Sequence, residues 1–508
     1  MFDKTGFWGS TALALALTAG AAQADVTPQQ VWDELETYFQ DFGYVVNATE
    51  TQTGNVLTVT DFSVTMDMPE EDGSLRFDAS EVVLTDLGDG RISIDFPNVM
   101  PITMSISAPD EDPIELVVNY TQDGLDMIAS GAPGDLVYDY TADGLSMILV
   151  ELVVDGKPID RSAARVEVTM TGLEGQSMVK NTTTRDISQV MKMSGLSYDL
   201  AFNDPDSDGA GLFSGTLSDL TFEGSTSIPA DLDMNAPSAL ATSGLKGSGR
   251  FDYAAGQSQF SATERGDTTA GQTSSEGASL LVGFSGEAIT YAQTGKNMTV
   301  AMSGGELPFP VTVAMEETAF NLTMPVAESE EPQKVAMGVT LGGFTMSDLL
   351  WNLFDPAKAL PRDPATVSFD LVGLATPFIN LFDPAAVEAL DATGGVPGEL
   401  NSLTLNNLTV DAAGTRLTGV GDFTFDNSDL ETYDGMPLPV GSVMLEVSGA
   451  NALIDKLIAM GLMAEQDAMG ARMMMSMFTV PGDSPDNLKS KLEFNEQGHI
   501  SANGQRIK

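Results

Sequence analysis

From Tyr44 to about Thr345 apolar side chains recur at every second residue. Only an extended strand turns that period into one apolar face. Phe62, Val64 and Met66 alternate with Ser63 and Thr65, and Ile102, Met104 and Ile106 with Thr103 and Ser105. Met298, Val300 and Met302 keep the rule, as do Phe320, Leu322 and Met324, and then Val335, Met337, Val339 and Leu341. Each run is short and bounded by Gly, Pro, Asp or Asn. That pattern predicts many half-buried antiparallel strands, apolar on one face and Ser, Thr and Asp on the other. Such strands must fold over on themselves or receive a cover. The expected fold is mainly β: a large curved antiparallel sheet, taco- or sandwich-like, with an N-terminal helix, a helical insertion and a C-terminal helical pair.

The flanks depart from this period. Lys4, the apolar run Thr11–Ala19 and the small-x-small site Ala22-Gln23-Ala24 read as a secretory signal over 1–24, with a mature chain beginning at Asp25. Thr27-Pro28-Gln29-Gln30 is a capping box ahead of Val31, Trp32, Leu35, Tyr38, Phe39 and Phe42 at helical spacing, and Gly43 is a natural stop. This gives an amphipathic helix over 25–43, docked on its own core or covering the mouth of an apolar groove. The β body is expected over 44–345, a helix-rich insertion over 346–400 around a strand at Thr366–Leu371, and strands with a Met-rich helical pair over 401–508. Two repeats mark the chain. Tyr120–Ile128 recurs as Tyr140–Ile148, each with an Asp-Gly expected to form a hairpin turn. Asn352–Ala357 recurs as Asn380–Ala385, each with an Asp-Pro expected to start a helix. Asp204–Thr216 and the Gly/Ser/Thr-rich Glu264–Gly277 read as mobile loops.

Composition excludes several chemistries. The 508 residues carry 73 Asp and Glu against 23 Lys and Arg, a net charge of −50, which repels phosphates and argues against a nucleic-acid partner. There is no Cys and one His, so thiol chemistry, disulfides and His- or Cys-cluster metal sites are excluded. A secreted chain without Cys fits a bacterial periplasm. No segment after the signal is a long uncharged span, so no transmembrane segment is expected in the mature chain. His499 lies beside a turn of the last hairpin, and no Gly-x-Ser-x-Gly elbow supplies it with a nucleophile. Asp204-Pro205-Asp206-Ser207-Asp208-Gly209 copies half of a calcium loop, but Gly215 stands where the bidentate Glu belongs. It reads as an acidic turn or a weak calcium site. Ser243-Gly244-Leu245-Lys246 and the Gly394–Gly398 cluster lack their partner motifs. No catalytic residue, cofactor or metal is assigned, and the chain reads as a non-enzyme.

Methionine is the informative departure, with 27 in the chain. Its flexible thioether suits either ordinary core filling or a surface that accepts apolar ligands of variable shape. Met66, Met104, Met298, Met302, Met324 and Met337, on the apolar faces of strands, are the candidate ligand contacts.

The strand Gly441–Val447, the helices from Asn451 to Phe478, and the closing Leu488–Phe494 and Ser501–Gln505 segments resemble domain of unknown function 2125, a bacterial envelope family. The resemblance implies a secreted envelope protein and carries no site residues. At fold level alone the long β composition is similar to AsmA-like proteins, whose curved sheets form lipid-holding grooves. The function expected from residues and compartment together is a periplasmic binding or carrier protein for an apolar ligand such as a lipid, in envelope maintenance. The alternative is a structural or assembly factor acting through contacts with envelope proteins.

Overall fold

The computed structural model describes residues 25–41, 43–68, 73–106, 113–160, 162–204, 207–229, 232, 244–305 and 307–508, so the signal reading at 1–24 and Ser243 lie outside the described residues. Helix α1 (Pro28–Asp41) begins at the expected box: Thr27 N–H donates to Gln30 Oε1 at 3.0 Å, and Gln30 N–H to Thr27 Oγ1 at 3.3 Å. Gly43 follows at φ 82°, where a residue without Cβ is unstrained. Twenty-seven strands then form one antiparallel sheet among the described residues. Most of them pair with their sequence neighbours, so the chain is a long meander running to Gln505–Arg506.

The sheet carries a crease. Ile114–Asp123 and Asp126–Ala132 both pair with Asp135–Val154 and act as one strand interrupted at Gly124. Lys246–Tyr253 and Ala255–Glu264 do the same against Ala210–Pro229. Residues in the left-handed region recur along this line: Asp61 (φ 52°), Gly124 (64°), Gly172 (60°), Asp219 (50°), Gly277 (110°), Asn297 (46°) and Gly343 (65°). Register holds across it, with Thr171 opposite Gly195 and Glu174 opposite Lys192. The left-handed residue sits in one strand of a pair, as Gly172 does beside Ser194, and the pleat changes phase there while the register on either side is kept. The sequence compensates by switching its apolar residues from even to odd positions, or the reverse. Tyr140 and Leu145 lie on opposite sides of the crease, five residues apart, yet line one cavity. Met170 packs with Leu173, Met193 with Leu196, and Leu217 with Leu220 in one apolar cluster.

Several expectations need correction. Asp123-Gly124 and Asp143-Gly144 form no hairpin turns. The first is the crease, the second lies inside Asp135–Val154, and the two repeats pair with one another, Tyr120 opposite Met147 and Met127 opposite Tyr140. The expected mobile loops are largely strand, over Ala210–Pro229 and Asp267–Ser275. Their Ser, Thr and Gln find cross-strand partners, as Ser214 does in Gln259, whose Nε2 donates to the hydroxyl at 3.0 Å. Arg265 and Gly266, both at positive φ, make the tight turn between Ala255–Glu264 and Asp267–Ser275. The 346–400 segment contains helices α2 (Asp348–Phe354) and α3 (Pro384–Thr393) as expected, and the strand expected between them runs over Ala365–Pro377 and pairs in the main sheet on both sides. Asp383 caps α3 as expected, accepting from Ala385 N–H at 3.0 Å. Asp355 instead follows the end of α2, where its buried carboxylate accepts from Ala359 and Leu360 N–H at 2.8 and 3.0 Å. The C-terminal pair is α4 (Ala450–Ala459) and α5 (Glu465–Phe478).

Candidate functional site

The first strands curl around α1. Trp32, 1% exposed, meets the edge of Phe62 at 5.1 Å and donates its indole N–H to Glu50 Oε1 at 3.1 Å. Two residues further along, about half a helical turn, Glu34 reaches the far side of the curl. It pairs with Arg185 at 3.1 Å and accepts from Asn181 Nδ2 at 2.7 Å. The helix thus bridges Val45–Thr53 and Val56–Met68 on one side to Ala164–Asn181 and Thr184–Asn203 on the other. Beneath it lies an open cavity of ≈ 520 Å³. Leu35, Tyr38 and Phe39 of α1 form its roof, and Phe62, Phe77, Ile102, Tyr120, Met127 and Met191 are among the sheet residues facing them. It has the size and apolar lining of a small-molecule site.

One polar row crosses this apolar wall. Tyr138, Ser177 and Gln189 stand directly opposite one another on three adjacent strands, and all three line the cavity. Gln189 Nε2 donates to the Tyr140 hydroxyl at 2.9 Å. Tyr138 is 6% exposed and its hydroxyl has no hydrogen-bond partner. Burial first, then the Glu34 carboxylate, push its phenol well above the ordinary range, with Arg185 pulling partly back. It is therefore held protonated, as a donor. Burial likewise raises the phenols of Tyr38 and Tyr120.

The wall continues beyond the cavity. The row of Tyr138, Ser177 and Gln189 runs on through Gly224, Gly249, Val282, Tyr291, Leu322 and Met337 to Leu371 and Leu405. The neighbouring row runs from Tyr140 through Gly175, Met191, Phe222, Phe251, Leu280, Gln293, Phe320 and Val339 to Phe369 and Leu408, apolar except at Gly175 and Gln293. Strands lie about 4.8 Å apart, so this one-sided, largely apolar surface extends on the order of 50 Å along the sheet. It stays half-exposed, with Val282 at 40% and Met337 at 41%.

The six methionines singled out by sequence fall into three places, and none lines the cavity itself. Met66 and Met104 flank Leu75 in one cross-strand row, two residues beyond the cavity residue Ile102. Met324 and Met337 lie in the long wall, opposite Ile289 and Leu322. Met298 and Met302, opposite Met315 and Val311, lie across the crease, and Met302 stands in a row that runs through Gly271, Phe260 and Phe213 to Leu200. The cavity's own methionines are Met100, Met127 and Met191. Sequence reasoning missed Glu34, Tyr138, Ser177, Arg185 and Gln189. The available signal was the polar pair Ser177 and Gln189 standing where the alternation calls for apolar residues.

Of the other motifs, Asp208 accepts from Arg265 N–H at 3.2 Å and Ser207 donates to Asp204 at 2.6 Å, while Pro205 and Asp206 lie outside the described residues. His499 is half-buried in the last turn, its backbone N–H donating to Asn495 Oδ1 at 3.0 Å. No helix among the described residues is long and apolar enough to cross a membrane.

Fold and site together define a single-sheet antiparallel β protein whose apolar wall is roofed at one end by an N-terminal helix. A family model described as an uncharacterised protein conserved in bacteria, domain of unknown function 2125, matches residues 242–503, just over half of the chain, and the chain belongs to that family. The cavity lies on the N-terminal side of the matched span. No curated protein and no solved structure matches the chain.

Proposed function

We propose that this protein is a non-enzymatic binding or carrier protein for an apolar ligand, a lipid, working in the bacterial periplasm in envelope maintenance. The observation that carries the reading is the cavity under α1, which opens onto a half-exposed apolar wall instead of a sealed core. A protein that exposes this much contiguous apolar surface uses it for contact. The periplasmic assignment rests on the N-terminal signal pattern and the absence of Cys. Native mass spectrometry of the purified protein, with solvent extraction of what leaves it, is expected to release lipid. Protein that is lipid-free after gentle purification and fails to bind N-phenylnaphthylamine would overturn the proposal. A second reading, an envelope assembly factor acting through protein contacts, is favoured by α5, where Met469, Met473, Met474 and Met477 are 72%, 64%, 60% and 57% exposed. It expects a stoichiometric envelope partner that is lost when these four become Ser.

A further inference from the structure

The sheet ends differently on its two sides. At the C-terminal end, Asn487–Phe494 is flanked by pieces of two or three residues, Val480–Pro481, Ile500–Ala502 and Gln505–Arg506, and carries Lys489 and Lys491. Short pieces, Pro and Lys are the usual guards of a sheet edge. At the N-terminal end stands Val45–Thr53, nine residues long and exposed at eight of them. It pairs with Val56–Met68 on one side, and among the described strands longer than three residues it alone has no partner on the other. No Pro or Lys guards it, and beyond the register shift between Asn47 and Thr49 the run Thr49–Thr53 is regular. Thr53 and Val56 close a two-residue turn, so Gln52 directs its backbone N–H and C=O to the free side. Among the described residues no hydrogen bond from outside the hairpin reaches the backbone of this strand.

A free edge of this length is a template for another extended chain. Charge decides which kind. From Asp25 to Leu75 the chain has 11 Asp and Glu and no Lys or Arg. Glu50, the one charge on the strand, faces α1, where it accepts from Trp32 Nε1 at 3.1 Å and from Gln29 Nε2 at 2.6 Å. Glu36 on α1 has its carboxyl raised by burial first and then by Glu50 and Asp33, so this edge lies in a negative field. We infer that Val45–Thr53 is a strand-addition site for an extended, basic segment of another protein. This goes beyond the carrier reading and does not use the cavity. Main-chain hydrogen bonds along Thr49–Thr53 supply the affinity, and Lys or Arg beside Glu50 and Asp33 supplies the preference. A second copy of this chain brings the same negative block to the contact, and a net charge of −50 on each repels it.

Three nine-residue peptides, blocked at both ends, separate the parts of this claim: one alternates Lys and Thr, one Lys and Pro, one Glu and Thr. The Lys/Pro peptide keeps the charge but cannot pair as a strand. Calorimetric titration of the full chain at low salt is expected to show the Lys/Thr peptide binding at least about tenfold tighter than either of the others. On binding, amide hydrogen exchange should slow over 45–53 and stay unchanged over Asn487–Phe494. Gln52→Pro removes one outward donor and should weaken the Lys/Thr peptide about tenfold with an unaltered circular dichroism spectrum. Thr58→Lys, opposite Thr51 and one strand inland, adds a positive charge without touching the edge and should cost about twofold at most. Should Gln52→Pro unfold, hydrogen exchange of wild type decides alone. The inference is overturned if the Lys/Pro or Glu/Thr peptide binds as well as Lys/Thr, or if Lys/Thr fails to bind at about 1 mM. Protection confined to another strand, or an equal loss in Thr58→Lys and Gln52→Pro, overturns it as well. A dimer in sedimentation that protects 45–53 would give the edge to a second copy and overturn the basic partner.

Discussion

The two ends of the sheet obey the same alternation and reach different outcomes. Up to Pro229, side chains such as Trp32, Leu57, Val82, Ile92 and Leu136 are at most 1% exposed. From 244 onward, Val326 is the one residue among the largest fully buried side chains, and Phe284, Met324 and Met337 of the same wall stay 37–41% exposed. Strand pattern is common to both, and what differs is the cover. The early strands wrap a helix that supplies Val31, Trp32, Leu35 and Phe39, whereas α2 and α3 have no buried residue. Alternation makes a face apolar, but burial needs a second layer. The lesson for this molecule is that stability is concentrated where α1 sits, and the apolar surface is left available where it does not.

The sharpest way to break this comparison is to cut one aromatic from each region. Trp32→Ala empties a site that is 1% exposed and is expected to cost about 4 kcal/mol by urea unfolding. Tyr291→Ala removes a half-buried ring that tilts against Phe320 at 5.7 Å and is expected to cost about 1 kcal/mol. Equal costs would mean that α1 is no special support.

Ion pairs give the next test. Glu34→Ala leaves the Arg185 guanidinium, whose side chain is 7% exposed, without its carboxylate, for a cost of about 3 kcal/mol. The open region's Arg250–Asp252 pair, at 50% and 34% exposure, is worth at most about 1 kcal/mol, so Asp252→Ala should scarcely move the denaturation midpoint. A large effect at Asp252 would show that this exposed pair supports the open region as strongly as Glu34 supports the covered one, and would break the comparison.

How much of this was legible in the sequence follows from what each feature depends on. The strands at Phe62–Met66, Ile102–Ile106 and Phe320–Met324 were visible because period two is a local property. The helix start at Thr27 was visible because a capping box is four residues long. The crease was written in the sequence as phase switches, Tyr140 to Leu145 and Met193 to Leu196. Reading those switches as one line requires knowing which strands lie side by side, and that is not local. The Asp-Gly repeats misled for the same reason: Gly124 permits positive φ in a hairpin turn and in a strand that continues. The polar site was least legible, since Glu34 and Arg185 lie 3.1 Å apart in space and far apart in the chain. The methionines marked an apolar face without saying which stretch of it was roofed.

The crease belongs to both regions, and this sharpens the comparison by supplying a perturbation that should not distinguish them. Asp61 in the covered part and Asn297 in the open part hold φ of 52° and 46°. Asp61→Val and Asn297→Val place a β-branched residue in the left-handed region and should each cost about 1–2 kcal/mol. Asn297→Gly should be neutral or slightly stabilising, since glycine adopts that conformation freely. Paired melting curves of the two Val variants check this. A loss confined to the covered region would mean that the crease is set by α1 and not by the sheet.

The smallest effect tests the cover through its own charge. Glu36 on α1 has its carboxyl raised above the ordinary range, by partial burial first and then by repulsion from Glu50 and Asp33. Its charged form is thus less favourable folded than unfolded. Wild type pays a penalty at neutral pH that fades as pH falls through the raised folded value, and no penalty remains below the unfolded one. Glu36→Gln removes the titration, so at neutral pH it should be more stable than wild type by a few tenths of a kcal/mol, the group being partly solvent-screened. The difference should close as pH falls below the carboxylate range. Urea midpoints at pH 7 and pH 3.5 measure it. A gain that persists unchanged at pH 3.5 would assign the effect to packing of the amide, and α1 would then owe nothing of its hold on the sheet to the charge at this position.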